Sequence, residues 1–412
     1  MTHGLGQHFF RHAYGSLVAM LVRRVGVRNT ELVEDAVQDA LLAGLEAWTH
    51  GDLPDNPSAW LYRVAHNRVV GDLRQRARRD RLVQAHPLED AGAPAAAWAP
   101  VLADDVRDDL LRMLFVCCND TIPVESQLVF ALKTLCGFGV PEIAHALFTT
   151  EANVYKRLAR ARDRLRDLPD ESFELAAARY ADRLPAVRLV LYLLFTEGYL
   201  SSHPEHALRR DLCVEAIRLA TVLVEHPRDG SPESCALLAL MHLHGARIDA
   251  RLDDTGGLML LEAQDRTRWD QDEIQVGLAW LARSAQGPTF SRYHAEAGIA
   301  AEHCLAPSFE ATRWDRIVEC YQQLERIAPS PLHTLNRALA VAEWRGPAHG
   351  LEIIDALEPP SWLEGSYLWS ATRADLHRRC GHAARARRYR AQAIDLAPTA
   401  AIRLALERRL RP

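Results

Sequence analysis

The sequence lacks a long apolar run, a secretory signal and a regular cysteine pattern, and each absence excludes a class of protein. Its longest apolar run, residues 189–195, is far too short to cross a bilayer, and the N-terminus has no apolar signal core. The eight cysteines include no CxxC pair, and most lie in apolar helical patterns typical of buried thiols. We therefore expect a cytoplasmic protein without a membrane segment or a disulfide framework.

Motifs for metals, cofactors and catalysis are also missing. Cys117 and Cys118 are adjacent, and neighbouring residues on a helix point in different directions, so this pair does not indicate a zinc site. No phosphate-binding loop and no pair of nucleophile and base is recognisable. We predict no metal, no cofactor and no enzymatic activity.

The net charge of −5 argues against nucleic-acid binding by the chain as a whole, but the charge is unevenly distributed. Residues 57–84 contain seven arginines and two aspartates, whereas residues 85–110 contain six acidic residues and one arginine. A basic stretch beside an acidic one is typical of a nucleic-acid surface followed by a linker. The length of 412 residues predicts two to four domains.

Residues 141–166 carry the clearest pattern. Pro141 suits the first turn of a short helix, and Thr150 suits the N-cap of a second, longer helix. Apolar positions of the second helix recur every three or four residues, at Val154, Leu158, Ala161 and Leu165. Its other face is polar and basic, with Asn153, Tyr155, Lys156, Arg157, Arg160 and Arg164. This pattern predicts a helix-turn-helix that reads the major groove; a solvated hairpin of amphipathic helices is the alternative.

Two further helices are predicted near the N-terminus. The first begins at the Asn29–Thr30 cap and runs to about Trp48, with a buried stripe of Val33, Val37, Ala40, Leu41 and Leu45. Its outer face is acidic, with Glu31, Glu34, Asp35, Gln38 and Asp39. The second covers residues 57–81 and has a basic side with an aromatic residue at its start, formed by Trp60, Arg63, Asn67, Arg68, Arg74, Arg76, Arg78 and Arg79. Aromatic and arginine side chains together suit unstacked bases; a simply solvated face is the alternative for each of the two helices.

These segments, residues 33–48, 56–79 and 154–166, resemble bacterial RNA polymerase sigma factors of the extracytoplasmic-function subfamily, in the family's order and spacing. The resemblance covers residues 1–168. It implies that Asp35, Gln38 and Asp39 contact the core polymerase. It implies that minus-ten promoter DNA is bound by Trp60, Arg63, Asn67, Arg68, Arg74, Arg76, Arg78 and Arg79. It implies that the minus-thirty-five element is bound by Glu151, Asn153, Tyr155, Lys156, Arg157 and Arg160.

The resemblance also implies a division of the first part of the chain. Residues 1–84 form sigma domain 2, and residues 106–170 form sigma domain 4 with the helix-turn-helix. Residues 85–105, rich in alanine and proline with acidic flanks, form a linker. In the family this segment passes through the polymerase interior; a flexible spacer is the alternative.

Residues 171–287 are expected to form a helical extension that is interrupted by a turn at residues 253–257. Around this turn the segment 236–270 gathers polar side chains, namely His242, His244, Arg247, Asp249, Arg251, Glu262, Asp265, Arg266 and Trp269. They suit either a small-molecule or metal site or an internal network of salt bridges, and we favour the network. His242 and His244 do not share a helix face, which argues against chelation of one ion.

Residues 288–412 are expected to form tetratricopeptide-like helical repeats. Gly346 and Gly381 lie 35 residues apart, close to the 34-residue tetratricopeptide period, and each precedes a predicted helix. Such arrays usually present a concave surface to a protein partner. The whole chain is thus predicted to be all-α.

We interpret the sequence as a transcription initiation factor that binds core RNA polymerase and promoter DNA, without a membrane. Its extension would regulate the factor or bind a protein partner, as in sigma factors with long C-terminal extensions. One alternative is a helix-turn-helix regulator with a ligand- or partner-sensing domain that acts without polymerase. It leaves the acidic face at residues 31–39 unexplained. The other is an enzyme, for which residues 236–270 are the only candidate site.

Overall fold

The chain is all-α, as predicted. The computed structural model describes residues 3–50, 54–84, 103–147, 149–167, 177–201, 208–226, 230–253 and 257–410. Within these ranges the only extended pairing is an isolated bridge between Leu252 and Leu258. The chain divides into two compact units, residues 1–190 and residues 191–412.

The N-terminal unit is built from seven helices and the beginning of an eighth across its described residues. These are α1 (His3–Val25), α2 (Thr30–His50), α3 (Pro57–Gln84), α4 (Ala103–Cys117), α5 (Val124–Thr134), α6 (Val140–Ala146), α7 (Glu151–Arg166) and α8 (Ala177–Tyr199). Gly26 ends α1 with a φ of 87°, a conformation that favours glycine. Asn56 caps α3, because its Oδ1 accepts a hydrogen bond from the Ala59 amide at 3.0 Å.

The core of this unit joins the first three helices to the helices that follow the linker region. Helix α1 packs against α2 and also against α4, and α5 packs against α7. A Cβ added at Gly15 of α1 would lie 2.3 Å from the carbonyl oxygen of Leu135, next to α5. Glycine is therefore required where α1 approaches the end of α5.

Two predicted segments lie partly outside the described residues. Most of the predicted linker, residues 85–102, lies outside them, and residues 103–105 already belong to α4. Phe148, in the turn of the predicted helix-turn-helix, also lies outside them. The boundaries proposed for the individual domains stay predictions.

The C-terminal unit is a succession of packed helices. They are α9 (Arg210–Glu225), α10 (Pro232–Gly245), α11 (Gln271–Ser284), α12 (Arg292–Leu305), α13 (Trp314–Ile327), α14 (Pro331–Arg345), α15 (Pro347–Asp355), α16 (Ser361–Glu364), α17 (Tyr367–Arg379), α18 (Ala383–Asp395) and α19 (Ala400–Arg409). Helix α10 packs against α9, α11 and α12, so residues 234–243 are all buried. This explains its continuous apolar sequence, which has no polar face.

The turn predicted at residues 253–257 falls between α10 and α11, and residues 254–256 of it lie outside the described residues. Residues 246–270, between α10 and α11, contain short 3-10 turns at Ile248–Ala250, Leu261–Ala263 and Arg266–Arg268 together with the Leu252–Leu258 bridge. Further along, Gly346 (φ 98°) precedes α15, and Gly381 (φ 77°) lies between α17 and α18. The helices pack in neighbouring pairs, while the tetratricopeptide-like assignment stays a prediction.

Candidate nucleic-acid interface

Helix α3 presents a continuous basic face to solvent. Leu61, Ala65 and Val69 are buried at intervals of four residues, which turns one side of the helix into the core. The polar residues predicted to bind minus-ten DNA are all exposed, namely Arg63, Asn67, Arg68, Arg74, Arg76, Arg78 and Arg79. All seven side chains are therefore accessible.

Trp60 begins this surface and is half-buried. Its ring lies against that of Trp48, at the end of α2, with the centroids 5.6 Å apart and the planes tilted by 58°. The Trp48 ring thus holds one side of Trp60 and leaves part of it accessible. Sequence reasoning missed this supporting role, for which the signal is an aromatic residue at the end of the preceding helix.

The three residues predicted to contact polymerase lie on α2. Asp35 and Gln38 are exposed, and Asp39 is half-buried. The Asp39 carboxylate pairs with Arg68 of α3 at 2.7 Å, so the acidic face of α2 adjoins the basic face of α3. Because both members of this pair are substantially exposed, it contributes no more than ~1 kcal/mol to stability.

The buried stripe predicted for α2 is only partly correct. Val33, Val37 and Ala40 are buried, but Leu45 is 45% exposed and Leu42 is 58% exposed. These two leucines follow Gln38 by four and seven residues, and such positions share one face of a helix. The acidic face therefore continues into an exposed apolar patch, and the prediction that Leu45 is buried is wrong.

Glu34 was predicted on the outer face of α2, and this prediction is wrong, since its side chain is 2% exposed. Its carboxylate accepts hydrogen bonds from Thr134 Oγ1 of α5 at 2.5 Å and from Arg162 of α7 at 2.7 Å. Burial alone would lower the pKa of Arg162, but the charge on Glu34 raises it above its ordinary value. Partners 100 and 128 residues away account for a burial that the helical period does not reveal.

A second ion pair reinforces this contact. Arg166 of α7 donates to the Glu31 carboxylate at 2.8 Å, and Arg162 also approaches Glu31 at 3.7 Å. The C-terminal half of α7 is therefore fastened to the beginning of α2. The N-terminal half of α7 takes no part in these bonds.

The helix-turn-helix forms as predicted in its described residues. In α6, Ile143 and Ala144 are buried, and the Glu142 carboxylate accepts from the Gly139 amide at 2.5 Å. Thr150 caps α7 by accepting from the Asn153 amide at 3.3 Å. The predicted apolar stripe of α7 is buried throughout, at Val154, Leu158, Ala161 and Leu165.

The residues predicted to read minus-thirty-five DNA lie on the opposite face of α7. Five of them are exposed, namely Glu151, Asn153, Tyr155, Lys156 and Arg160, and Arg157 is half-buried. Tyr155 is 60% exposed, which is unusual for an aromatic side chain without a ligand. The beginning of α7 is thus an accessible polar and basic surface of the width that the major groove admits.

The polar segment 236–270 contains salt bridges, but they do not include all of its arginines. Asp249 pairs with Arg210, Asp253 pairs with Arg408, and His242 Nδ1 lies 2.6 Å from Glu273. Of the cations named in the prediction, Arg247, Arg251 and Arg266 form no ion pair with any described residue. The predicted network is therefore wrong for these three arginines.

None of the described helices combines the length and apolar character needed to span a bilayer.

Two family models match this chain, one near its N-terminus and one in its middle. Residues 10–79 match the family Sigma-70 region 2, and residues 183–285 match a family of unknown function (DUF6596). An uncharacterized protein of Rhizobium meliloti, R00370, is 36% identical over 377 residues, which cover 90% of this chain and 88% of the relative. The long extension therefore recurs in that relative.

Other relatives match the N-terminal part only. The RNA polymerase sigma factor NccH of Alcaligenes xylosoxydans xylosoxydans is 30% identical over 170 residues, covering 41% of this chain and 89% of the relative. The RNA polymerase sigma factor CnrH of Cupriavidus metallidurans is 31% identical over 174 residues, covering 41% of this chain and 88% of the relative. No solved structure matches the chain.

Proposed function

The chain belongs to the RNA polymerase sigma factors of the extracytoplasmic-function subfamily, and we propose that α3 and α7 read the two promoter elements while α2 holds the core polymerase. It acts as a promoter-directing initiation factor, with core RNA polymerase and promoter DNA as its partners. The observation that carries the residue assignments is the exposure of both predicted DNA-reading faces. The role is non-enzymatic.

Helix α3 serves the minus-ten element in this proposal. Trp60 is held by Trp48 yet partly exposed, which suits stacking on an unpaired base, a contact that contributes ~1–3 kcal/mol. The exposed arginines from Arg74 to Arg79 neutralise backbone phosphates, so the affinity falls steeply as the salt concentration rises. Arg63, Asn67 and Arg68 lie between the aromatic residue and this phosphate-binding part.

Helix α7 serves the minus-thirty-five element. Asn153 and Lys156 project from the N-terminal half of α7, where a recognition helix meets base edges, and Arg160 lies about one turn further along. A bidentate contact of an arginine with guanine discriminates against a wrong base by ~1–3 kcal/mol. Glu151, Tyr155 and Arg157 complete this surface.

Helix α2 serves the polymerase. Asp35 and Gln38 are exposed and continue into the exposed Leu42 and Leu45, a mixed acidic and apolar strip that suits a protein partner. Asp39 also belongs to this strip, and its ion pair with Arg68 would be exchanged for a contact with polymerase or DNA.

The compact N-terminal unit must open for both elements to be read together. Elements ~25 base pairs apart lie ~85 Å apart on B-form DNA, at ~34 Å per turn of ten base pairs. A compact unit of 190 residues has a radius of gyration of only ~16 Å. Opening would break the Glu34–Arg162 and Glu31–Arg166 pairs, together with the Arg23–Asp109 pair and the packing of α1 against α4.

The extension from residue 191 onwards regulates this activity or receives a protein partner. Its recurrence in the Rhizobium relative supports a function that belongs to the whole chain. A chain ending at Ser201 is the suitable truncation. It keeps α8, whose Arg183 donates to the Phe115 carbonyl oxygen of the N-terminal unit at 3.2 Å.

In vitro transcription with core polymerase tests the assignments. We expect the full chain to support initiation at specific start sites, and Arg160→Ala to lower promoter affinity by roughly tenfold to a hundredfold. The double variant Asp35→Ala, Gln38→Ala should bind core polymerase more weakly. Duplex binding of the same promoters without polymerase, together with no transcription in its presence, would favour the ligand-sensing regulator instead.

A further inference from the structure

The turns between α10 and α11 bring together three arginines in the segment that matches the family of unknown function. Arg247 is 5% exposed, and Arg251 and Arg266 are half-buried. Arg247 and Arg266 lie over the same ring, that of Trp269, at 5.1 and 4.5 Å from its centroid. Arg251 lies 3.7 Å from the centroid of Tyr199. Three cationic groups thus share one small region of the C-terminal unit.

Each of the three arginines has a buried nitrogen without a hydrogen-bond acceptor in the described part of the molecule. The Nε atoms of Arg247 and Arg251 are buried and have no acceptor there. Arg266 donates to the carbonyl oxygens of His303 and Ala306 at 2.6 and 2.7 Å, yet one of its terminal nitrogens is also buried without an acceptor. A buried guanidinium without a counter-charge is costly, so the site favours an added acceptor.

Neighbouring carboxylates do not compensate this charge. Asp249 and Asp253 pair with the other arginines, Arg210 and Arg408. Glu310 exerts an electrostatic influence on Arg266, but it is exposed and bonds to Ser308. The acids of this region are therefore engaged elsewhere or turned to solvent.

Two neighbouring histidines have lowered pKa values, because they are buried and lie near these arginines. Burial, followed by the charges of Arg247 and Arg266, lowers the pKa of His303 to about 3. Burial and the charges of Arg247 and Arg251 lower the pKa of His244 well below its ordinary value. Both rings are thus neutral at pH 7, and His303 Nδ1 is buried without a hydrogen-bond partner in the described structure.

We propose that Arg247, Arg251 and Arg266 form a binding site for a phosphate group, either inorganic phosphate or the phosphate of a small monoester. Guanidinium groups donate fixed pairs of hydrogen bonds that match the oxygens of phosphate, and a dianion matches several positive charges better than a carboxylate does. Trp269 holds two of the three cations in position. The site lies outside the DNA-reading surfaces and goes beyond the promoter-directing function.

Thermal unfolding and calorimetry of the full chain test the site. Phosphate should raise the melting temperature above that in sodium chloride of equal ionic strength, because a ligand stabilises the state that binds it. Arg247→Gln should weaken calorimetric phosphate binding by roughly tenfold or more, since a charge-assisted contact is lost. Arg268→Gln is the matched control, because Arg268 is exposed on the same 3-10 turn as Arg266 and should bind phosphate like the wild type.

A second variant and a second ligand complete the design. Arg251→Gln changes a half-buried residue and tests the site should Arg247→Gln fail to fold. A nucleoside 5′-monophosphate that binds more tightly than phosphate, through the same arginines, identifies an esterified ligand, whereas equal affinity identifies free phosphate. The proposal is overturned if phosphate and chloride act alike on the wild type, or if folded Arg247→Gln or Arg251→Gln binds phosphate as Arg268→Gln does.

Discussion

Glu34 in the N-terminal unit of this sigma factor and Arg247 in the C-terminal unit are both buried charged side chains, but only Glu34 has a partner of opposite charge among the described residues. Glu34 is 2% exposed and accepts from Arg162 and Thr134, whereas Arg247 is 5% exposed and has no carboxylate partner among the described residues. A buried charge is tolerated only when its lost hydration is replaced. The first charge therefore fastens two distant helices together, whereas the second has the unmet need for an acceptor on which the proposed phosphate site depends.

The largest expected effect comes from breaking the paired charge. Arg162→Met leaves the Glu34 carboxylate buried without its guanidinium, and removal of one partner of a buried pair costs ~3–5 kcal/mol. We expect a loss near the lower end of this range, because Arg162 is partly exposed. Urea denaturation of the full chain, followed with probes on the N-terminal unit, measures the loss.

Arg164→Met is the control, since Arg164 is exposed on the same helix and should change the free energy of unfolding by less than ~0.5 kcal/mol. Adding Glu34→Gln to Arg162→Met should recover part of the stability, because it removes the stranded charge. Equal losses from Arg162→Met and Arg164→Met would contradict the role given to the buried pair.

In the C-terminal unit, His303, which is buried beside the unpaired arginines, predicts a loss of stability in acid. His303 has its pKa lowered from 6.5 to about 3, so at pH 4 to 6 the unfolded chain binds a proton that the folded chain does not. Its contribution to stability is complete above pH 6.5 and is lost as the pH falls toward 3. The slope for this one group is at most ~1.4 kcal/mol per pH unit.

His303→Gln should flatten this part of the stability profile of the C-terminal unit, measured by urea denaturation at pH 4 to 7. His349, whose side chain is exposed, offers the control His349→Gln. Saturating phosphate should also reduce the slope, because an anion beside Arg247 and Arg266 makes protonation of His303 easier. If His303→Gln leaves the slope of unfolding free energy against pH unchanged, His303 is not the group responsible for the loss of stability in acid.

A smaller effect separates two faces of α7. Arg160 and Arg162 are two residues apart, but Arg160 is exposed and Arg162 is bonded to Glu34. Arg160→Ala should leave stability nearly unchanged and weaken binding to promoter DNA by ~1–3 kcal/mol in complexes with core polymerase. An electrophoretic mobility assay with holoenzyme measures this, and a variant that loses stability without losing promoter affinity would reverse the assignment.

The same contrast explains how much the sequence predicted. The stripe Val154, Leu158, Ala161 and Leu165 repeats with the helical period, so the orientation of α7 and its exposed face follow from local spacing. The burial of Glu34 does not follow from local spacing, because its partners in α5 and α7 lie 100 and 128 residues further along the chain. A local pattern identifies which face of a helix is apolar but not which polar residue a distant helix will cover.

The arginines of residues 236–270 illustrate a second limit. The segment mixes acids and arginines, and composition alone favours a network of salt bridges. In the folded chain, however, Arg210 and Arg408 from outside the segment take Asp249 and Asp253. Competition from distant residues leaves Arg247 without a counter-ion, and only the tertiary arrangement shows it.

The smallest effect concerns the exposed pair of Asp39 and Arg68, which has the same chemistry as Glu34 and Arg162 but lies in water. Both side chains are about half exposed, at 41% and 57%, so Asp39→Asn should cost less than ~1 kcal/mol of unfolding free energy. Because solvent screens this pair, added salt should reduce even that cost, whereas the loss caused by Arg162→Met should persist in salt. Urea denaturation at low and high sodium chloride compares the two, and a salt-resistant loss in Asp39→Asn would mean that exposure does not decide the strength of these pairs.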